Sequence, residues 1–96
     1  MSNLNTKNLN KVDSLLENEV LGKVAVLINE YINSDVEVVS LELAGSKLRG
    51  TGTNGYDFDF NLAYNGNLDE AKLVDYVSSK LSNDNIKVNI NFTKGN

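Results

Sequence analysis

The sequence predicts a small α+β domain, in which helices pack on one face of a small mixed β-sheet. Segments with apolar residues at every third or fourth position, typical of helices, alternate with segments in which every second residue is apolar, typical of strands. The predicted order is helix, strand, short helix, strand, helix, strand. Because each strand has one apolar face to bury, we expect the helices to cover that face and leave the other face polar.

The length and composition limit the chain to a single globular domain. Its 96 residues, 41% of them hydrophobic, suffice for one small core and for no second catalytic module. We expect residues 1–8, which are polar, to form a disordered tail and residues 9–96 to form the domain.

Several functions are excluded by the residue types that the chain lacks. It contains no cysteine and no histidine, which rules out disulfides, thiol nucleophiles and imidazole metal ligands. The net charge of −4 argues against direct nucleic-acid binding. The sequence has neither an apolar run of membrane-spanning length nor the apolar stretch of a signal peptide, so it predicts no membrane contact and a cytoplasmic location.

The first helix and the first strand follow from the first 44 residues. Apolar residues from Leu9 to Tyr31 recur at three- and four-residue steps, which predicts one long helix or two helices with a break near Gly22. Residues 35–44 contain three valines and two leucines among alternating polar residues, which predicts a strand. A change of phase at Val38-Val39 indicates a bulge or burial on both faces.

A predicted break separates the first strand from the second. Gly45 ends the first strand, and Ser46 is available as the N-cap of a short helix. A glycine-containing loop over residues 51–55 leads into the second strand, which Asn65-Gly66 ends.

One more helix and one more strand complete the domain. Asn67, with Glu70 three residues later, predicts a capped helix start. Asn83-Asp84-Asn85 is expected to end that helix, and the last strand is predicted from Ile86 to about Thr93.

Two aspartates on the second strand are the candidate catalytic and metal-binding residues. This strand alternates, and its apolar face carries Tyr56, Phe58, Phe60, Leu62 and Tyr64. Asp57 and Asp59 must therefore share the opposite face. Two carboxylates held so close repel each other unless a cation lies between them, and Mg²⁺ is usually held by one or two carboxylates plus phosphate oxygens.

The segment upstream of the aspartates supplies candidate phosphate ligands. A strand that ends in Gly45-Ser46 and opens a helix would leave backbone N–H groups free to bind phosphate. Helix capping alone would explain Ser46 as well as a contact with phosphate does. Lys47 and Arg49 add positive charge nearby, so Gly45, Ser46, Lys47 and Arg49 form the predicted cofactor-binding set.

These residues together resemble a known family signature. Gly45-Ser46, ten intervening residues and then Asp57-Phe58-Asp59-Phe60 are similar to the motif of the nucleotidyltransferases related to DNA polymerase β. Within that group, the motif most resembles that of the minimal nucleotidyltransferases, or MNT proteins. The resemblance implies a nucleotidyltransferase-like fold, Mg²⁺ and ATP as cofactors, and transfer of AMP to a hydroxyl of a protein or small molecule. It also implies an antitoxin-like role with a HEPN-type toxin as partner.

The chain departs from this family at the third acidic residue, which members usually carry on a later strand. Here the corresponding position is Asn89, with Asn91 as the alternative register. An amide can bind a metal through its carbonyl oxygen, but it cannot act as a base. Two hypotheses follow. One is a nucleotidyltransferase with Asp57, Asp59 and Asn89 around the metal. The other is a catalytically silent acidic binding protein, such as a phage-encoded inhibitor of a nucleic-acid-binding defence protein.

Overall fold

The computed structural model describes residues 12–48 and 55–95, which form two α-helices and three strands. In chain order the elements are α1 (Ser14–Tyr31), β1 (Val36–Leu48), β2 (Tyr56–Gly66), α2 (Glu70–Leu81), a 3₁₀ turn (Ser82–Asp84) and β3 (Ile86–Lys94). The predicted tail and Arg49 lie outside the described residues, as does most of the predicted loop over residues 51–55.

The three strands form one mixed sheet in the order β1-β2-β3. β1 and β2 pair in antiparallel orientation, as expected for consecutive strands. β2 and β3 pair in parallel orientation, which requires a crossover, and α2 supplies it.

The core lies between the sheet and both helices. Phe58, Phe60 and Leu62 of β2 are completely buried. The residues packed around them from the other elements are Val20, Val24 and Ile28 of α1, Leu73, Val77 and Leu81 of α2, and Ile86 and Val88 of β3. All of the strand residues in this cluster point to the same side, so both helices cover one face of the sheet. The predicted α+β class, with a mixed sheet and helices on one face, is confirmed.

Helix α1 is continuous through Gly22, so the structure favours one long helix over two. Its buried residues Val20, Val24 and Ile28 recur every fourth position, which keeps one stripe against the sheet. In the described part of the chain, neither helix has the length and apolar character needed to cross a membrane.

Helix α2 begins two residues later than predicted. The N-cap is Asp69, whose side chain accepts a hydrogen bond of 3.2 Å from the backbone N–H of Lys72. Asn67 lies too far upstream to bond the first free N–H groups of this helix. The predicted end is confirmed, because Asn85 adopts a left-handed conformation with φ of 59° directly after the 3₁₀ turn.

A cluster around Tyr64 attaches the end of β2 to α2. The Tyr64 hydroxyl donates a hydrogen bond of 2.6 Å to the carboxylate of Glu70. This bond raises the pKa of the Tyr64 hydroxyl above its ordinary value of 10.0, with burial as the next cause. The ammonium group of Lys94 lies 4.6 Å from the ring centroid and donates to the carbonyl oxygen of Gly66 at 2.8 Å. These contacts connect β2, α2 and β3 at one end of the sheet.

Strand β1 is longer than the sequence predicted, and the prediction of a short helix at Ser46 is wrong. β1 continues through Gly45 and Ser46 to Leu48, because each of these residues pairs with a residue of β2. The ladder satisfies the backbone groups that point toward β2, which a lone helical turn would leave open.

Two register shifts interrupt this ladder. One lies between Val38 and Ser40, which confirms the predicted irregularity at Val38-Val39. The other lies between Leu43 and Gly45, where Ala44 is an extra residue in β1.

Candidate functional site

The helices leave one face of the sheet uncovered, and polar side chains from all three strands meet there. We call this surface the open face. Its central positions are Glu42, Gly45 and Lys47 of β1, Asp57, Asp59 and Asn61 of β2, and Lys87, Asn89 and Asn91 of β3. Residues paired in register across adjacent strands point to the same side, so these positions form three rows that run across the strands.

The middle row consists of Gly45, Asp59 and Asn89. Asp59 and Asn89 are both exposed. A Cβ atom placed on Gly45 would lie 3.9 Å from Oδ2 of Asp59, so the missing side chain leaves the carboxylate open on that side. This row brings together three of the residues that the sequence singled out.

A second row places Asp57 between Lys47 and Lys87. Asp57 is half-buried, whereas both lysines are exposed. Opposite charges on adjacent strands stabilise a sheet, so this row also has a structural role. Lys87 was missed in the sequence analysis, although the two-residue alternation of β3 places it on the same face as Asn89.

The third row consists of Glu42, Asn61 and Asn91. The side-chain amide of Asn91 donates to the side-chain oxygen of Asn61 at 3.4 Å. The parallel register therefore places Asn89, and not Asn91, beside Asp59.

Ser46 lies on the opposite side of the sheet from the aspartates. Its partner in β2 is the buried Phe58, and its hydroxyl donates a hydrogen bond to the carboxylate of Glu17 in α1. We expected Gly45 and Ser46 to face the same cleft as Asp57 and Asp59, and for Ser46 this is wrong. Consecutive residues of a strand point to opposite faces, so only Gly45 lies on the side of the aspartates. Because this segment is a strand, it has no helix N-terminus of the kind expected to bind phosphate.

The open face offers two neighbouring carboxylates, Asp57 and Asp59, as charged donors for a metal ion. Asp57 and Asp59 are two positions apart, which separates their Cα atoms by roughly 6.7 Å and lets both carboxylates reach one ion. Within residues 12–48 and 55–95, no group of three acidic, histidine or cysteine side chains is arranged to hold a metal. Two carboxylates and the Asn89 carbonyl oxygen would leave coordination positions for phosphate oxygens and water.

Comparisons with protein-family models, curated protein sequences and solved structures found no match. The resemblance to the minimal nucleotidyltransferases therefore stays a prediction carried by the residues of the motif.

Proposed function

We propose that the protein binds a nucleoside triphosphate, ATP by the family resemblance, together with Mg²⁺ on the open face. Asp57 and Asp59 are the metal ligands, and the side-chain oxygen of Asn89 is a third donor. The observation that carries the proposal is the row in which Gly45, Asp59 and Asn89 meet, since these residues are far apart in sequence.

The phosphate groups have two candidate cationic partners in this arrangement. Lys47 and Lys87 lie on either side of Asp57 and on the same face as Asp59. Lys47 was predicted as a cofactor ligand, and Lys87 replaces Ser46 in the proposed site. A bound Mg²⁺ would offset the repulsion between the carboxylates and the triphosphate.

The same site could transfer AMP to a hydroxyl, as in the family that the sequence resembles. In that reaction the hydroxyl oxygen bonds to the α-phosphorus, the bond to the pyrophosphate oxygen breaks, and the hydroxyl proton passes to a base. Asn89 cannot accept this proton. We therefore propose that this protein binds the nucleotide more effectively than it transfers AMP. A HEPN-type toxin is the acceptor suggested by the resemblance.

A second candidate function is a catalytically silent binding protein with an acidic surface, acting on a basic partner such as a nucleic-acid-binding defence protein. Two observations favour it. Ser46 points to the helices. Asn89, which pairs with Asp59, is an amide where the resemblance implies a carboxylate. Nucleotide binding separates the two functions, because only the first requires it.

We predict that ATP binds in the presence of Mg²⁺ and that binding is largely lost in EDTA, because the ion must bridge the carboxylates and the phosphates. Asp59→Asn removes one charged ligand at nearly constant size and is expected to weaken binding by about tenfold or more. Isothermal titration calorimetry measures both effects.

Glu42→Gln is the matched control for this experiment. Glu42 is an exposed carboxylate on the same face, one row away from Asp59, and its loss changes the net charge equally. Equal weakening by both substitutions, or equal affinity with and without Mg²⁺, would show that general charge and not a metal site governs binding.

We predict that Ser46→Ala lowers stability and leaves nucleotide affinity unchanged. The hydroxyl binds Glu17 on the helix side, so its removal is expected to cost about 1 kcal/mol. Urea unfolding gives the stability change, and calorimetry with Mg²⁺ and ATP gives the affinity. A Ser46→Ala variant of normal stability and weakened ATP binding would mean that Ser46 contacts the ligand.

A further inference from the structure

A stripe on the side of α1 turned away from the sheet contains Leu15, Gly22 and Val26, with the exposed Asn18 and Asn29 beside it. Leu15 is 74% exposed and Val26 is 57% exposed, and they are two of the three exposed large hydrophobic residues in the described part of the chain. Residues seven and eleven positions apart share a helix face, so Gly22 lies between them on the same stripe. A Cβ atom on Gly22 would meet nothing within 4 Å, so a neighbouring helix could approach closely here.

An open groove runs along this stripe between α1 and α2. It measures about 720 Å³, and Gly22, Val26, Leu27 and Leu81 contribute its apolar lining. The stripe and the groove form one continuous surface, which we call the α1 surface.

The charges at the edge of the α1 surface are self-complementary. Glu19 and Lys23 lie one helical turn apart on the same flank of the stripe. Lys23 forms an ion pair of 3.7 Å with Asp84, but its side chain remains 53% exposed and retains donors for a second carboxylate. When two copies of such a helix face each other in antiparallel orientation, each acid meets the base of the other copy.

We propose that the α1 surface is the dimer interface for a second copy of this chain, with the two α1 helices antiparallel across a twofold axis. One register satisfies both kinds of contact: Leu15 of each copy packs against Val26 of the other, and Glu19 of each copy pairs with Lys23 of the other. In this register the partner's Glu19 backbone also lies opposite Gly22, where no side chain intervenes. A parallel arrangement would instead place Glu19 beside Glu19, which is unfavourable.

The first test is the association state of the full chain over a range of concentrations, measured by sedimentation equilibrium. We expect a concentration-dependent dimer for the wild type. Val26→Glu introduces a charge into the apolar contact twice per dimer and is expected to raise the dissociation constant at least about tenfold. Val39→Glu is the matched control, because Val39 is 52% exposed on β1 and lies away from the α1 surface.

A charge exchange tests the antiparallel register. Glu19→Lys and Lys23→Glu alone each place like charges together at two symmetric points, and each is expected to weaken association about tenfold. The double variant is made together with Asp84→Asn, so that the new carboxylate at position 23 meets no like charge in its own copy. It restores opposite charges across the contact and is expected to recover most of the affinity of the Asp84→Asn protein. Circular dichroism confirms that each variant is folded.

A wild type that remains monomeric at the highest concentration overturns the proposal. Coverage of the stripe by residues 1–11 of the same chain would give this result. A dimer that is unaffected by Val26→Glu, or equally affected by Val39→Glu, also overturns it. Failure of the charge exchange to rescue association overturns the antiparallel register. None of these outcomes depends on nucleotide binding.

Discussion

Asn89→Asp is expected to increase AMP transfer by about 10²-fold or more over a weak wild type. General-base assistance contributes about 10²–10⁴-fold in rate, and the wild-type amide cannot supply it. The parallel register places residue 89 directly beside Asp59, so the new carboxylate would join the existing pair. Asn89 is exposed, so the variant introduces a charge without burying it. Labelled ATP with Mg²⁺ and a cell lysate provides the assay, with Asp57→Ala as the inactive reference.

Asn91→Asp is the matched control for this substitution. It makes the same chemical change on the same strand and face, one row further from Asp59. We expect it to leave transfer at the wild-type level. Asn89→Asp should also lower the stability of the metal-free protein more than Asn91→Asp does, because three carboxylates then repel each other, and Mg²⁺ should reverse the loss. If both variants behave alike, residue 89 has no special relation to the aspartates and the proposed site is wrong.

Gly66→Ala is expected to destabilise the fold by about 3 kcal/mol. Gly66 ends β2 with φ of 110°, a conformation that residues with a Cβ atom rarely adopt. A Cβ atom at this position would also lie 1.9 Å from the carbonyl oxygen of Asp35, so the turn would have to move. The backbone carbonyl of Gly66 accepts the Lys94 hydrogen bond, and this displacement would disturb that contact too.

Gly22→Ala is the matched control for the monomer, because it adds the same methyl group where nothing in its own copy lies within 4 Å. Gly22 is an exposed position inside α1, where alanine is favoured over glycine by about 0.5–1 kcal/mol. We therefore expect the two substitutions to change the free energy of unfolding in opposite directions. Urea unfolding followed by circular dichroism at low micromolar concentration measures both. A Gly66→Ala protein as stable as the wild type would mean that the chain takes another path between β2 and α2.

The sequence predicted best the elements whose hydrophobic pattern is local and regular. The alternation of β2 predicted correctly that Phe58, Phe60 and Leu62 face the core and that Asp57 and Asp59 face away from it. The patterns of α2 and β3 likewise predicted the helix stripe and the position of Asn89. In these segments each residue's burial follows from its neighbours two or four positions away.

The sequence failed where pairing with a distant strand decided the outcome. Gly45-Ser46 has the local features of a strand end and a helix cap, but pairing with β2 extends β1 through both residues. A separate and local error concerns α2, whose N-cap is Asp69 and not Asn67. Lys87 joined the site only through the parallel register with Asp57. Such register information involves residues more than ten positions apart, and local periodicity does not contain it.

The extra residue at Ala44 gives the hairpin of β1 and β2 a second possible alignment. The pairs Leu43 with Phe60 and Leu48 with Tyr56 enclose a segment in which β1 has one residue more than β2. If the surplus residue were Lys47 in place of Ala44, both enclosing pairs would remain, but Ser46 would stand opposite Asp57 and Gly45 opposite Phe58. The Ser46 hydroxyl would then lie on the same side of the sheet as the aspartates. Two single-residue deletions select between the alignments. Deletion of Ala44 leaves only the present alignment, and deletion of Lys47 leaves only the other.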